Sequence, residues 1–138
     1  MIWKSPINLD DINEKCRNSL CGHLGIEFTD VGDSHLTATM PVDRRTNQPM
    51  GILHGGATCA LIETVGSVAA NFCIQPDQAA VGMDINVNHM RQVNKGIVTA
   101  IANPLHIGRT TQVWEIKVYH EEKLTAAGRL TIAVIVKK

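Results

Sequence analysis

The sequence predicts an α+β domain in which an antiparallel β-sheet wraps around one long central helix. Two observations carry that prediction. The stretch from Ile52 to Ile74 is apolar almost throughout, so a helix formed there is too apolar to lie on a surface. After Pro76 the chain reads as strands to its end, with turn signals at Asn94-Lys95-Gly96, Gly108 and Glu121-Glu122-Lys123. A sheet with one face to cover is the economical partner for a helix that must be buried.

Ile7 to Asn18 has helical spacing, with Ile12 on one side of a charged segment and Asn8 or Asp10 available as cap. Gly22 to Gly25 breaks that helix. Ile26, Phe28 and then Leu36, Ala38, Met40 and Val42 alternate with polar neighbours, giving two strands around a Gly32-Asp33 turn. Asp43 to Leu53 is a loop punctuated by Pro49 and Gly51, and the central helix starts near Gly55. Strict alternation puts Val81, Met83, Ile85, Val87 and His89 on one strand face, and Gly82, Asp84, Asn86 and Asn88 on the other. Ile97 to Leu105, then Trp114 to Val118, then Leu130 to Val136 complete a meander of four strands. No repeat, low-complexity tract or linker interrupts residues 1–138, which read as a single domain.

The 138 residues carry 13 basic and 13 acidic side chains. That balance offers no electrostatic reason to expect nucleic acid or an anionic membrane as partner, so an anionic ligand has to be met locally. Four cysteines without a C-x-x-C pair, after a start too polar and short for a signal peptide, read as reduced thiols in a cytoplasmic protein. The apolar stretch is not expected to span a membrane, because it carries Glu63 at its middle and several glycines.

On a helical wheel Leu61, Ile62, Val65, Val68, Ala69 and Phe72 form a bulky stripe. The neighbours of Glu63 at three, four and seven positions are Gly56, Cys59, Ala60, Gly66, Ser67 and Ala70, all small. A smooth face with one charge permits close approach by a second backbone, a partner subunit or a ligand. A carboxylate held there is partly desolvated, which makes it a better base. Pairing with a basic group for purely structural reasons is the competing account, since glutamate is rarely buried alone. Gly55 and Gly56 open the helix, so their N–H groups and the helix dipole favour a carbonyl oxygen acquiring negative charge. A tight entry turn would ask for the same two glycines. Their position two turns before a lone carboxylate, after Gln48 and His54, favours the chemical account.

Other chemistries find little support. Cys59 lies one turn before Glu63 but has no histidine placed to activate it, and reads as an ordinary thiol. The six histidines form no H-x-x-x-H or carboxylate–histidine cluster, so no metal is expected. No glycine pattern matches a nucleotide phosphate loop.

The segment LHGGATCALIETVGS resembles the active-site helix of hotdog-fold thioesterases, in the 4-hydroxybenzoyl-CoA thioesterase branch with glutamate on the helix. MIWKS, MPVDRRTNQPMGILHGG, VGMDINVNH, PLHIGR and QVWEI extend the likeness over nearly the whole chain, toward the bacterial aryl-CoA thioesterases of menaquinone synthesis and enterobactin proofreading. The resemblance implies that Glu63 is the catalytic base or nucleophile and that Gly55 supplies the oxyanion N–H. It implies that His54 polarises or positions the thioester and that Gln48 orients the carbonyl or water. By the same resemblance Ser67 is expected to line the acyl pocket. The resemblance also implies that Gly82, the segment His89, Met90, Arg91 and Gln92, and the segment His106, Ile107, Gly108, Arg109, Thr110 and Thr111 contact the nucleotide and pantetheine. His89 would otherwise read as a satisfied core histidine. Arg91 and Arg109, with the Gly108 turn, suit CoA phosphates.

The resemblance further implies a homotetramer built as a dimer of dimers with active sites at the dimer interface, and no cofactor beyond the CoA of the substrate. The expected substrate is an aromatic acyl-CoA, with 1,4-dihydroxy-2-naphthoyl-CoA first. Aryl groups misloaded on a siderophore carrier protein come second. A hotdog dehydratase and a non-catalytic acyl-CoA binder are the rivals from other classes.

Overall fold

The computed structural model describes residues 1–138. Nine elements follow in the order α1 (Leu9–Cys16), α2 (Leu20–His23), β1 (Glu27–Val31), β2 (Leu36–Pro41), α3 (Gly55–Asn71), β3 (Gln78–His89), β4 (Ile97–Ile107), β5 (Thr111–His120) and β6 (Lys123–Val136). Every strand pair is antiparallel and the sheet runs β1-β2-β4-β5-β6-β3. α3 lies against that sheet, as the amphipathic argument requires. Leu61, Ile62, Val65 and Ala69 are fully buried against strand residues such as Trp114, Ile116, Leu130 and Ile132. The N-terminal segment closes one side of the core, where Trp3 stacks on Trp114 with ring centroids 6.3 Å apart.

Asn8 is the cap of α1, its side chain accepting the Asp11 N–H at 3.1 Å. Where the sequence suggested only a break, the chain makes the four-residue helix α2, with Gly22 inside it. A Cβ at Gly22 would stand 2.2 Å from the Arg17 carbonyl oxygen, so the glycine lets the chain fold back on the end of α1.

The expected smooth face of α3 is only partly open. Gly66 and Ala70 are buried, and a Cβ on Gly66 would sit 2.7 Å from a Leu130 methyl. Gly66 therefore lets the helix approach β6, while Gly56 and Glu63 remain exposed.

β3 departs from simple alternation. Gly82 pairs with Ile132 and Asp84 with Thr131, leaving Met83 as an extra residue in a β-bulge. The bulge reverses the facing of the strand. Ala80 is buried, Ile85 and Val87 pack on the core, and Val81 and Met83 are exposed. The single face expected for Val81, Met83, Ile85, Val87 and His89 is thus split at Met83, and Gly82 turns toward α3 instead of away from it. Asn71 holds the two elements together: its Oδ1 accepts the Ala80 N–H at 3.1 Å and its Nδ2 donates to the Ala80 carbonyl at 3.2 Å. β3 pairs only with β6, so its other edge is open over twelve residues.

Candidate active site

The start of α3 is built by His54. Its backbone is extended (φ −68°, ψ 130°) and its Nδ1 accepts the Gly56 N–H at 2.7 Å, an N-cap made by an imidazole. An accepting Nδ1 leaves the proton of the neutral ring on Nε2, as a donor. The Ala57 and Thr58 N–H groups reach the His54 carbonyl at 3.0 and 3.2 Å. Gly55 alone is left with an N–H that meets no acceptor in the chain. Of the two N–H groups at the glycine pair, that of Gly56 is taken by His54, so Gly55 is the single free donor there.

Gln48 enters from the preceding loop. Its N–H donates to the Ile52 carbonyl at 2.9 Å and its carbonyl accepts the Gly51 N–H at 2.9 Å, a turn closed by Gly51 at φ +80°. Its Oε1 accepts the Met50 N–H, so the amide NH₂ is the end left to donate. Gln48, Gly55, Thr58, His89, Arg91 and Gln92 line a cavity of about 430 Å³, with Ile52, Leu53 and Val93 as apolar wall. The His89 ring covers Gly55, where a Cβ would meet Nε2 at 3.3 Å. Met90 and Arg91 both donate to the Thr125 carbonyl, at 2.7 and 3.2 Å, fastening the segment after β3. The cavity continues into a polar groove lined by Arg91, Gln92, His120, Glu121, Lys123 and Thr125. Arg91 and Lys123 have no ion-pair partner.

Glu63 lies elsewhere. It makes no ion pair, it is exposed, and its Oε2 is 2.7 Å from where a Cβ of Gly82 would stand. The desolvation expected for this carboxylate is not supplied by its own chain. Eight residues of helix separate it from Gly55, a rise of about 12 Å. Cys59, one turn earlier, has its thiol pushed up by burial and by the Glu63 charge, which disfavours a nucleophilic role.

The structure thus brings Gln48, Gly55, His89, Met90, Arg91 and Gln92 together. Glu63 and Gly82 form a second group on the same helix, with Ser67 half-buried one turn on, its carbonyl accepting the Asn71 amide at 2.8 Å. The His106–Thr111 segment is a third. Ile107, Gly108 and Arg109 line a separate cavity of about 290 Å³ with Lys4, Cys73 and Gln75, beyond the C-terminal end of α3. His106 packs its ring under Gly108, and the Thr110 carbonyl accepts the Val134 N–H at 2.9 Å. Within one chain these six residues do not reach the cavity at Gly55. His54 faces a different groove from Gln48. Thr58, Thr125 and Ala126 also line the cavity and were not singled out from the sequence. Thr58 could have been, one turn after Gly55; nothing local marks the two strand residues.

The thioesterase superfamily model matches residues 50–127. The 1,4-dihydroxy-2-naphthoyl-CoA hydrolase of Escherichia coli is 45% identical over 136 residues, covering 98% of this chain and 100% of that protein. A proofreading thioesterase of Cronobacter turicensis is 46% identical over 136 residues, covering 98% and 99%. The crystal structure of a thioesterase from Haemophilus influenzae, at 49% identity, superposes with a TM-score of 0.96 over 99% of this chain and 96% of that one.

Proposed function

The chain belongs to the thioesterase superfamily and is an acyl-CoA thioesterase, and from that premise we propose that it hydrolyses an aromatic acyl-CoA at a site shared between two copies. The observation that carries the reading is the separation of Glu63 from the free Gly55 N–H. A reacting carbonyl must lie within about 3.5 Å of both its nucleophile and its oxyanion donor. The ~12 Å of helix between the two groups does not allow that in one chain. A two-fold pairing of chains along the open edge of β3 runs two α3 helices antiparallel, so that each Glu63 meets the other chain's Gly55 and Gln48. Contact there also supplies the desolvation that one chain lacks, and it covers a long strand edge that is otherwise a liability. The exposed Val81 and Met83 of β3 and Ile135 of β6 offer a further apolar surface for joining dimers into a tetramer.

In this reading the Gly55 N–H and the Gln48 amide hold the thioester oxygen as it gains charge. Glu63 either attacks the carbonyl carbon, giving an anhydride that water opens, or takes a proton from the water that attacks. The C–S bond breaks in both routes and CoA leaves as a thiolate, which needs no strong general acid because a thiol pKa is about 8–9. Single turnover in isotope-labelled water separates them: label in Glu63 marks the anhydride. His89 to Gln92 receive the pantetheine arm, and the free cations of the adjoining groove suit its phosphates. The chemistry requires no cofactor.

The substrate reading takes 1,4-dihydroxy-2-naphthoyl-CoA first, on the E. coli relative, and an aryl group on a carrier protein second, on the Cronobacter one. No helix is long and apolar enough to cross a membrane, and we place the activity in the cytoplasm, where CoA esters are found. The deciding experiment is free-thiol release from aryl, short-alkyl and long-alkyl CoA esters by the wild type and Glu63→Gln. Aryl esters turn over fastest, and the variant loses at least about a hundredfold in kcat with affinity largely kept. Unchanged turnover in the variant sinks the assignment.

A further inference from the structure

Most buried polar side chains of this fold find partners within it. Thr46 donates to the Pro41 carbonyl at 2.8 Å and Thr125 to the Val118 carbonyl at 3.1 Å, while Gln112 accepts the Trp114 indole N–H at 2.8 Å. Thr58 differs. It is only 3% exposed, its backbone N–H goes to the His54 carbonyl, and its hydroxyl makes no hydrogen bond within the chain. That hydroxyl is not sealed in, because the Asn47 Oδ1 is the one enclosed side-chain polar atom without a partner. Thr58 borders the cavity of about 430 Å³ that Gln48, Gly55 and His89 also line. Thr125 is the other threonine there, and its hydroxyl is already spent on Val118.

We propose that Thr58 is a further catalytic residue, its hydroxyl donating a hydrogen bond to the thioester sulfur as the C–S bond breaks. The inference rests on the thioesterase reading above. A buried hydroxyl with no partner in the protein takes one from whatever fills its cavity. For a thioester held at Gly55, position selects that partner. Thr58 follows Gly55 by three residues, on the next turn and the same side of α3, about 4.5 Å further along the axis. A helical side chain leans back toward the N-terminus, which brings the hydroxyl closer still to the Gly55 N–H. The carbonyl oxygen occupies that N–H, and the sulfur is two bonds from the oxygen, on the side where the pantetheine arm enters past His89 to Gln92. When the C–S bond breaks, its electron pair goes to sulfur. The hydroxyl supports that charge through a hydrogen bond and keeps its own proton; the thiolate departs and takes a proton from water. Gly55 and Gln48 thus meet the charge that grows on oxygen, and Thr58 meets the charge that grows on sulfur.

The test is Thr58→Val, which keeps the shape of the side chain and removes the hydroxyl, with Thr58→Ala in its place where valine disturbs folding. Single-turnover rates are measured on benzoyl-CoA, on S-benzoyl-N-acetylcysteamine and on the S-benzoyl ester of 4-nitrothiophenol, whose thiol is far more acidic. Thr58→Val is expected to keep the melting temperature, since the lost hydroxyl has no partner in the chain. Its rate falls at least about tenfold on the two alkyl thioesters, the scale of a hydrogen bond to a charged group. On the nitrothiophenyl ester, whose sulfur carries the departing charge unaided, the fall is less than about threefold. Thr58→Ser, which retains the hydroxyl, recovers most of the lost rate. An equal fall on all three esters, no fall on any, or a higher KM for benzoyl-CoA at an unchanged rate each overturns the leaving-group role. Glu63→Gln in parallel keeps the two readings apart: its loss of turnover beside an unaffected Thr58→Val leaves the hydrolase standing without this donor, and its unchanged turnover removes the hydrolase itself.

Discussion

The Glu63 carboxylate lies directly over Gly82, with Oε2 2.7 Å from the point a Cβ would occupy. Two features produce this. The Asn71–Ala80 hydrogen bonds hold the end of α3 on β3, and the bulge at Met83 turns Gly82 toward the helix. Gly82→Ala therefore moves the end of a flexible side chain and no backbone. Alanine also loses less entropy than glycine in a strand. Stability is expected to change by less than about 1 kcal/mol in denaturant titration, while kcat falls at least about tenfold as the carboxylate is displaced from its working position. Full activity in Gly82→Ala would show that the observed placement of Glu63 is not the working one.

Gly55→Pro tests the oxyanion donor without the usual cost of proline. Gly55 is the first residue of α3, its N–H bonds to nothing in the chain, and His54 already has the extended backbone that a residue before proline prefers. The helix should survive, with the His89 ring yielding a few tenths of an ångström to the new side chain. Losing the donor costs roughly 10²–10³ in kcat. Mixing this variant with Glu63→Gln gives a sharper reading. If the site is shared, subunits that exchange regenerate one intact pair per mixed dimer, and activity returns in a mixture of two inactive proteins. No recovery after verified exchange would place both groups in the same chain's site.

His54 carries two loads that different substitutions separate. His54→Ala removes the acceptor for the Gly56 N–H and should destabilise the protein by about 0.5–2 kcal/mol. His54→Asn restores an efficient cap but not an imidazole donor. Asparagine is expected to recover the melting temperature and not the turnover, if Nε2 acts on the thioester. Recovery of both by asparagine would reduce His54 to a cap.

The central helix and the strand meander were legible because their periods, 3.6 and 2, run unbroken over many residues. Glu63 was legible as the lone charge among small neighbours. What local pattern could not reveal was the Met83 bulge, since VGMDINVNH alternates without interruption and only the pairing with β6 exposes the extra residue. The four residues of α2 are too few to show a period. The distance between His89–Gln92 and His106–Thr111 was equally hidden: it follows from an eleven-residue β4, about 36 Å of strand, carrying its far turn past the other end of α3. The partner of the Gly56 N–H depended on the rotamer of His54, which sequence does not fix.

Cys73 makes the stability of the fold sensitive to alkali. It is 3% exposed just beyond α3, and burial, eased only slightly by Lys4, pushes its thiol from the ordinary 9.0 up to about 11. The Cys16 thiol is likewise raised to about 11, by burial first and then by Cys21 beside it. Unfolded, both thiols release their protons near 9.0. Between pH 9 and 11 the folded state therefore holds more protons than the unfolded state, so stability falls as pH rises. The contribution of both thiols is complete below pH 9 and lost as the pH passes about 11. Melting temperatures measured from pH 8 to 11 should decline across that window, and Cys73→Ala should decline less steeply, whatever its offset at pH 8. Parallel curves for the two proteins would mean that the Cys73 thiolate forms as easily in the folded state as in the unfolded one, which a tightly packed site at the end of α3 does not permit.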